Sequence, residues 1–249
     1  KSSSDLGIPL VAVGLLYQQG YFHQSLSHDC WQQEHYPDND WYNMPVRMVK
    51  DKTGRPVQVK VDLAGETVGI QIWKVEVGRT PLYLLYTNIP ENSPAQRGIA
   101  SRLYGGDRDM RIRQEIVLGV GGVRALAALG YSPTVYHMNE GHSAFLALER
   151  IRDLMSTRRM TFDEAKEIVW ASDVFTTHTP VPAGNEQFEF DLVRHYFGKF
   201  HNDLGLTWEE FAALGQEIPK ESSKFNMTVL ALKMAAWCNG VAKLHGVVS

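Results

Sequence analysis

Two short segments of the 249-residue chain gather side chains that do chemistry: His137-Met-Asn-Glu-Gly-His142 and Thr176-Thr-His-Thr-Pro-Val-Pro-Ala-Gly-Asn185. Imidazoles move protons near neutral pH, carboxylates accept protons or hydroxyl hydrogen bonds, and amides and hydroxyls hold polar ligands. A third segment, Tyr104-Gly-Gly-Asp107-Arg108, is a glycine turn that delivers an acid and a base to a helix start. Each also has a plain structural reading. Asp107 suits a helix cap, Glu140 a helix-start acid favoured by the dipole, and His178 a satisfied histidine at a strand end. His137, Glu140 and His142 could be read as metal ligands. A zinc-protease pair, however, sits at i, i+4 on one helix face, whereas these histidines are five apart in a strand-to-helix turn, and no metal is expected. Gly119-Val-Gly-Gly122 is a superficial match to a phosphate loop but lies inside a helical pattern. Trp31, Tyr36, Trp41 and Tyr42 suit either a small satellite core or a sugar-stacking surface.

The elements that must position these residues follow from periodicity. The apolar run Ile8–Tyr17 predicts a strand covered on both faces. Val57–Val77 alternates and predicts antiparallel strands turning near Ala64-Gly65-Glu66, and Thr80–Thr87 predicts another strand. His28–Trp41 shows no period and reads as a surface loop. From Asp107 to Leu129 apolar residues recur at helical spacing, with Gly130 as a natural stop. Gly119, Gly121 and Gly122 inside that helix predict close packing against a sheet. Pro133–Met138 predicts a buried strand and Ser143–Met155 a helix. Thr161-Phe-Asp-Glu164 is a capping box opening a helix through about Trp170. Val174–Thr177 reads as a strand, followed by helices around 186–200, 207–214 and 225–237.

This alternation predicts the α/β class: a Rossmann-like parallel sheet with helices on both faces, the antiparallel strands being an edge extension. No linker or repeat intervenes, so residues 1–249 read as one domain. In open α/β sheets ligands bind beyond the carboxyl ends of the strands. Both polar segments follow such ends, and Pro180, Pro182 and Gly184 forbid continuation of the second strand.

Composition narrows the partners. A net charge of −3 lacks the basic excess of a nucleic-acid binder. Cys30 and Cys238 have neither metal-ligand spacing nor a disulfide framework, which suits a reducing compartment. No apolar run reaches the roughly 18–20 residues that span a bilayer, and no leader is visible, so a cytoplasmic protein without a membrane partner is expected. An opening without Met and a close just after an apolar stretch read as a fragment.

On particular residues the sequence resembles the α-glucan (glycogen/maltodextrin) phosphorylases, in their bacterial and archaeal form. Asp5-Leu-Gly-Ile-Pro and Gly14-Leu-Leu-Tyr-Gln-Gln-Gly-Tyr-Phe-His-Gln24 resemble the stretch after the family's glycine-rich loop. Arg102–Glu115 is similar to its active-site gate loop and following helix, Asn139-Glu-Gly-His142 to its Asn-Asp-Thr-His turn, and Thr177–Pro182 to its active-site histidine segment. Phe225-Asn-Met-Thr and Asn239–Gly246 resemble the end of the N-terminal domain. The resemblance runs the whole chain in order, departing at Glu140 (for Asp) and Gly141 (for Thr).

It implies the two-Rossmann-domain GT-B architecture, with residues 1–249 as part of the glucan-binding N-terminal domain. It further implies phosphorolysis of α-1,4-glucan by inorganic phosphate to glucose 1-phosphate with retained configuration. Pyridoxal 5′-phosphate would sit on a lysine of a C-terminal domain that has no counterpart here, so none is expected on this chain alone. By the same resemblance His178 holds the glucosyl unit through ring and backbone, and Asp107 is the gate-loop acid beside the catalytic site. Asn139, Glu140 and His142 would line the acceptor end. Two other readings stay open. A glucan hydrolase needs a carboxylate pair about 5–10 Å apart, for which Asp107 and Glu140 are the candidates; the other is a non-catalytic carbohydrate-binding module. Homo-oligomerisation and allosteric control are left open.

Overall fold

The computed structural model describes residues 1–103, 105–179, 185–218 and 222–248. They fall into two compact units: Lys1–Val61 with Val68–Val117, and Asp62–Thr67 with Leu118–Ser249. Sheets of mixed direction flanked by helices make this an α/β protein.

The first stretch of chain runs α1 (Ser2–Asp5), β1 (Ala12–Leu15), β2 (His23–Leu26), β3 (Gln32–His35), β4 (Arg47–Met48), β5 (Gln58–Leu63), β6 (Glu66–Val77), β7 (Thr80–Tyr86), α2 (Pro94–Arg97) and α3 (Arg108–Ala128). A five-stranded sheet takes the order β1-β7-β6-β4, with β5 also on β6. The β5–β6 turn falls where alternation broke, at Ala64 (φ 55) and Gly65 (φ 88). Two consecutive positive φ values are what a tight two-residue hairpin needs to match strand twist. Val68, Ile70 and Ile72 are fully buried every second residue along β6. By contrast β1 is half-buried at all four positions, not covered on both faces. It ends the sheet and pairs only with β7 among the described residues, and an apolar run records a preference for burial, not the number of neighbours. The expected 28–41 loop contains part of a β2–β3 hairpin. Its strands are almost entirely exposed, so no apolar face was there to produce a period.

The second stretch runs β8 (Tyr136–Asn139), α4 (Phe145–Arg158), α5 (Phe162–Ser172), β9 (Asp173–Thr177), β10 (Gln187–Glu189), α6 (Phe190–Phe197), α7 (Phe200–Asp203), α8 (Trp208–Ala213), β11 (Lys224–Asn226), α9 (Met227–Lys233), β12 (Trp237–Gly240) and α10 (His245–Val248). Strands β8, β9 and β12 form a separate all-parallel sheet in the order β12-β9-β8. The antiparallel strands are thus not its edge extension among the described residues; strand–helix order predicts the connections but not which strands bond. Helices were expected on both faces. Met138 and Phe175 are buried on one face, with Cys238 exposed beside them; on the other face Thr176 is buried and Val174 half-buried, while His137, Asn139, Trp237 and Asn239 are exposed.

The capping box at Thr161 and Glu164 forms as predicted. The segment expected as one helix over 225–237 is instead β11, α9 and β12. Asn226 caps α9 by accepting from the N–H of Thr228 (2.9 Å) and Val229 (3.4 Å), which starts the helix later. β12 exists because Trp237–Gly240 pairs with β9, not because Trp-Cys-Asn-Gly carries a strand pattern.

The core of this unit is aromatic. Phe145 packs on Phe197 (4.6 Å between centroids), Phe197 on Phe211 (5.4 Å) and Phe211 on Phe225 (6.1 Å). Gly119 does permit a close approach, but to the start of α4 and not to a sheet: a Cβ there would lie 2.8 Å from the Leu146 backbone N. Glu149, 1% exposed, is gripped by the guanidinium groups of Arg124 (2.7 and 3.0 Å) and Arg152 (2.8 and 2.7 Å). Burial drives its carboxyl pKa up, but the hydrogen bonds from Arg152 and Arg124 outweigh burial and hold it below the usual value.

Candidate functional site

The carboxyl ends of β8 and β9 lie side by side, with Asn139 in register with Thr176. The Glu140 N–H donates to the Thr176 carbonyl at 3.0 Å, which extends the pairing by one residue. There the chain breaks from strand geometry: Glu140 has φ 71 and ψ 171, a region that belongs almost wholly to glycine and costs about 1–3 kcal/mol elsewhere. This conformation carries the Glu140 side chain to β9, where its Oε1 accepts the backbone N–H of His178. Glu140 and His178, 38 residues apart, are therefore joined directly.

Gly141 explains how the turn is held. It is buried, and a Cβ on it would come within 3.0 Å of the Thr228 N and 3.1 Å of the Met227 carbonyl carbon. Its closeness is thus to the first turn of α9 rather than to an open cleft. Four residues later Phe145 enters the aromatic core, so the turn is anchored on both sides. His142 is half-buried in the short 3-10 turn Gly141–Ser143. Asn139 and His178 are exposed. Because Glu140 takes the His178 N–H, that donor is engaged within the protein, and the exposed ring is what His178 presents.

Thr176 and, from the third strand, Asn239 join this end of the sheet. Asn239 donates from Nδ2 to the Gly240 carbonyl (3.1 Å), which turns its Oδ1 toward Thr176. Thr176 donates from Oγ1 to that oxygen at 2.9 Å. The threonine has one proton to give, so it accepts from His137 Nε2 at 2.7 Å, which places a proton on that nitrogen. Thr176 heads the second polar segment and Asn239 the last family-like motif, but nothing local pairs them; only the register of three parallel strands brings them together.

Asp107 belongs to the first unit, Asn139, Glu140, His142 and His178 to the second. It is exposed, and its Oδ1 accepts the Met110 N–H at 2.9 Å, so it caps α3. Gly106 (φ 91) leaves no room for a side chain, since a Cβ would meet Met110 Cβ at 2.7 Å. Nearby, the Arg102 guanidinium lies 3.3 Å over the Tyr36 ring, and Leu103 N–H bonds the Gln19 carbonyl at 3.0 Å. Trp31 is 76% exposed and Trp41 half-buried. Tyr104, Pro180, Pro182, Gly184 and the Tyr42 side chain, all singled out above, lie outside the described residues. Among the described residues no three His, Cys, Asp or Glu side chains could hold a metal ion, and no helix is long and apolar enough to cross a membrane.

Comparison with known proteins covers both strand-end turns. The chain is 47% identical over 261 aligned residues to a glycogen phosphorylase of Mycobacterium tuberculosis, matching 100% of the chain and 30% of that protein. It is 43% identical to a maltodextrin phosphorylase of Thermococcus litoralis (100% of the chain, 29% of the relative). A glycogen phosphorylase of Aquifex aeolicus is 39% identical (100% and 36%). Along its whole length the chain is thus similar to proteins named glycogen and maltodextrin phosphorylase. It spans about 30% of the length of the first of these curated relatives. No protein-family model matches it.

Proposed function

We propose that the chain is part of a full-length α-1,4-glucan phosphorylase, a glycosyltransferase of the GT-B architecture, and that residues 1–249 belong to its N-terminal, glucan-binding domain. The observation that carries this reading is 47% and 43% identity along the whole chain to proteins named glycogen and maltodextrin phosphorylase. In this reading inorganic phosphate takes the glucosyl unit at the non-reducing end of an α-1,4-glucan, giving glucose 1-phosphate with retained configuration. The exposed His178 ring contacts that glucosyl unit, and Asp107 stands beside the reacting groups as the gate-loop acid. Asn139, Glu140 and His142 line the acceptor end. Sugar hydroxyls are neutral donors and acceptors that suit such a set, while a carboxylate repels inorganic phosphate by about 1 kcal/mol at 4 Å even in water-like dielectric. The free, exposed thiols of Cys30 and Cys238 suit a cytoplasmic setting.

The family resemblance also brings pyridoxal 5′-phosphate to the full-length protein, and the described strand-end turns offer no amine for its aldehyde. Neither turn, 139–142 or 177–179, carries a lysine, and Lys243 beyond β12 is exposed. Lys233, whose pKa burial lowers, is held by the carbonyls of Ala213 (2.7 Å) and Gln216 (2.6 Å). Proton transfer is accordingly assigned to no residue of this chain.

The test is glucose 1-phosphate formation from maltodextrin by the full-length protein. Product that requires inorganic phosphate is expected. Phosphate-independent release of reducing sugar would make it a hydrolase, and glucan binding without turnover a binding module.

A further inference from the structure

We propose that Glu140 is a positioning residue: besides lining the acceptor end, its carboxylate braces the turn that presents His178. Three independent features converge on this. Glu140 occupies a glycine-type conformation (φ 71, ψ 171) although it carries a side chain. The residue after it is pinned, because Gly141 packs against the backbone of Met227 and Thr228. The residue before it is pinned as well, through the Asn139–Thr176 register, and its own N–H is tied to the Thr176 carbonyl. Held between these points, the backbone has one way to send the side chain onto β9, and Oε1 takes the His178 N–H.

That bond crosses from one strand end to the next, so it fixes where β9 stops and where the His178 ring starts. A helix-start acid would bond to N–H groups of its own following turn; the Glu140 side chain bonds instead to a residue 38 positions away. A carboxylate accepts several hydrogen bonds, so Oε1 can brace the backbone while Oε2 receives a sugar hydroxyl. The two duties separate by substitution. Glutamine keeps an oxygen at the Oε1 position and loses the charge. Glycine loses the brace and relieves the backbone, so a misfolded protein is not the expected result.

The inference rests on the phosphorylase reading for its kinetics, and the experiment separates the two. In the full-length protein, hydrogen–deuterium exchange of the peptide containing the His178 amide is compared for wild type, Glu140→Gln and Glu140→Gly. The glycine variant should exchange at that amide about tenfold faster or more, and the glutamine variant close to wild type. In phosphorolysis, Glu140→Gln should raise the glucan KM, while Glu140→Gly should in addition bring kcat about tenfold below that of the glutamine variant. Because the brace acts through His178, Glu140→Gly should lower kcat by no more than about threefold when added to His178→Ala. Unchanged exchange in the glycine variant, or a double variant whose losses simply multiply, would overturn the proposal. A wild-type protein without phosphorolysis would remove the proposed function, and the exchange result would then decide the brace by itself.

Discussion

The two ends of the parallel sheet in the second unit each hold an acid facing a positively charged or N–H partner, yet they do opposite things. At the amino end Asp173 is fully buried and bonded to the Arg150 guanidinium, whose side chain is 10% exposed. Arg150 also bonds Ser172 Oγ at 2.8 Å and stacks 3.9 Å from the Tyr136 ring. Burial pushes the Asp173 pKa up to about 7 against the pull of Arg150. At the carboxyl end the partners are Glu140, half-buried, and the exposed His178. A closed pair can serve only the fold. An open one leaves the exposed His178 at the end of the sheet where α/β proteins bind ligands.

Breaking the amino end should produce the largest effect, and on stability alone. Arg150→Met leaves a buried carboxylate without its cation, a loss of about 3–5 kcal/mol in such cases. The loss should be greatest at pH 8 and smaller at pH 5, where Asp173 binds a proton. The sign follows from linkage. The folded pKa of about 7 lies above the reference 3.8, so the Asp173 contribution is complete below pH 4 and disappears as pH rises through 7. Asp173→Asn cannot titrate, and the melting temperature of wild type minus that of the variant should therefore fall between pH 4 and 7. A rise would mean that the Arg150 pair keeps the carboxylate ionised throughout.

Breaking the carboxyl end should do the reverse. His178→Ala in the full-length protein should lower kcat/KM by about 100-fold, roughly 3 kcal/mol of transition-state contact, with an unchanged melting temperature. Near-parental rates would demote His178 to a structural residue. Gly141→Ala sharpens the comparison because it lies at the open end yet is packed like the closed one. Forcing a methyl against Met227 and Thr228 should cost about 1–3 kcal/mol, read by denaturant unfolding; full stability would show that the turn can shift freely.

The smallest effect belongs to the cap in the other unit. Asp107→Ala should cost about 1 kcal/mol and Asp107→Ser much less, since serine still accepts the Met110 N–H. If the acid also works beside the catalytic site, both variants lose kcat. If only the alanine variant is impaired, and only in melting, Asp107 is a cap and nothing more.

The contrast between Asp107 and Glu140 shows why part of the site was legible and part was not. A cap is local: the acid, the preceding glycines and the helix spacing occupy a few consecutive residues, and the structure forms it where the pattern put it. The capping box at Thr161 and the turn at Ala64-Gly65 were readable for the same reason. The Glu140 brace, the His137–Thr176–Asn239 row and strand β12 all depend on pairings made across 38 to 63 residues, and no window of sequence contains them.

Residue types, spacing and order alone determined the α/β class, the candidate turns and the resemblance to α-glucan phosphorylases, because chain-local propensities and family motifs are properties of the string. Tertiary structure decided which strand ends meet, which acids are buried, and which groups remain open to a ligand. It showed that Gly141 packs on α9 and that Glu140 turns toward His178. Those outcomes depend on the space left by neighbours distant in sequence, and a hydrogen bond or a close contact exists only once both partners have been brought to it.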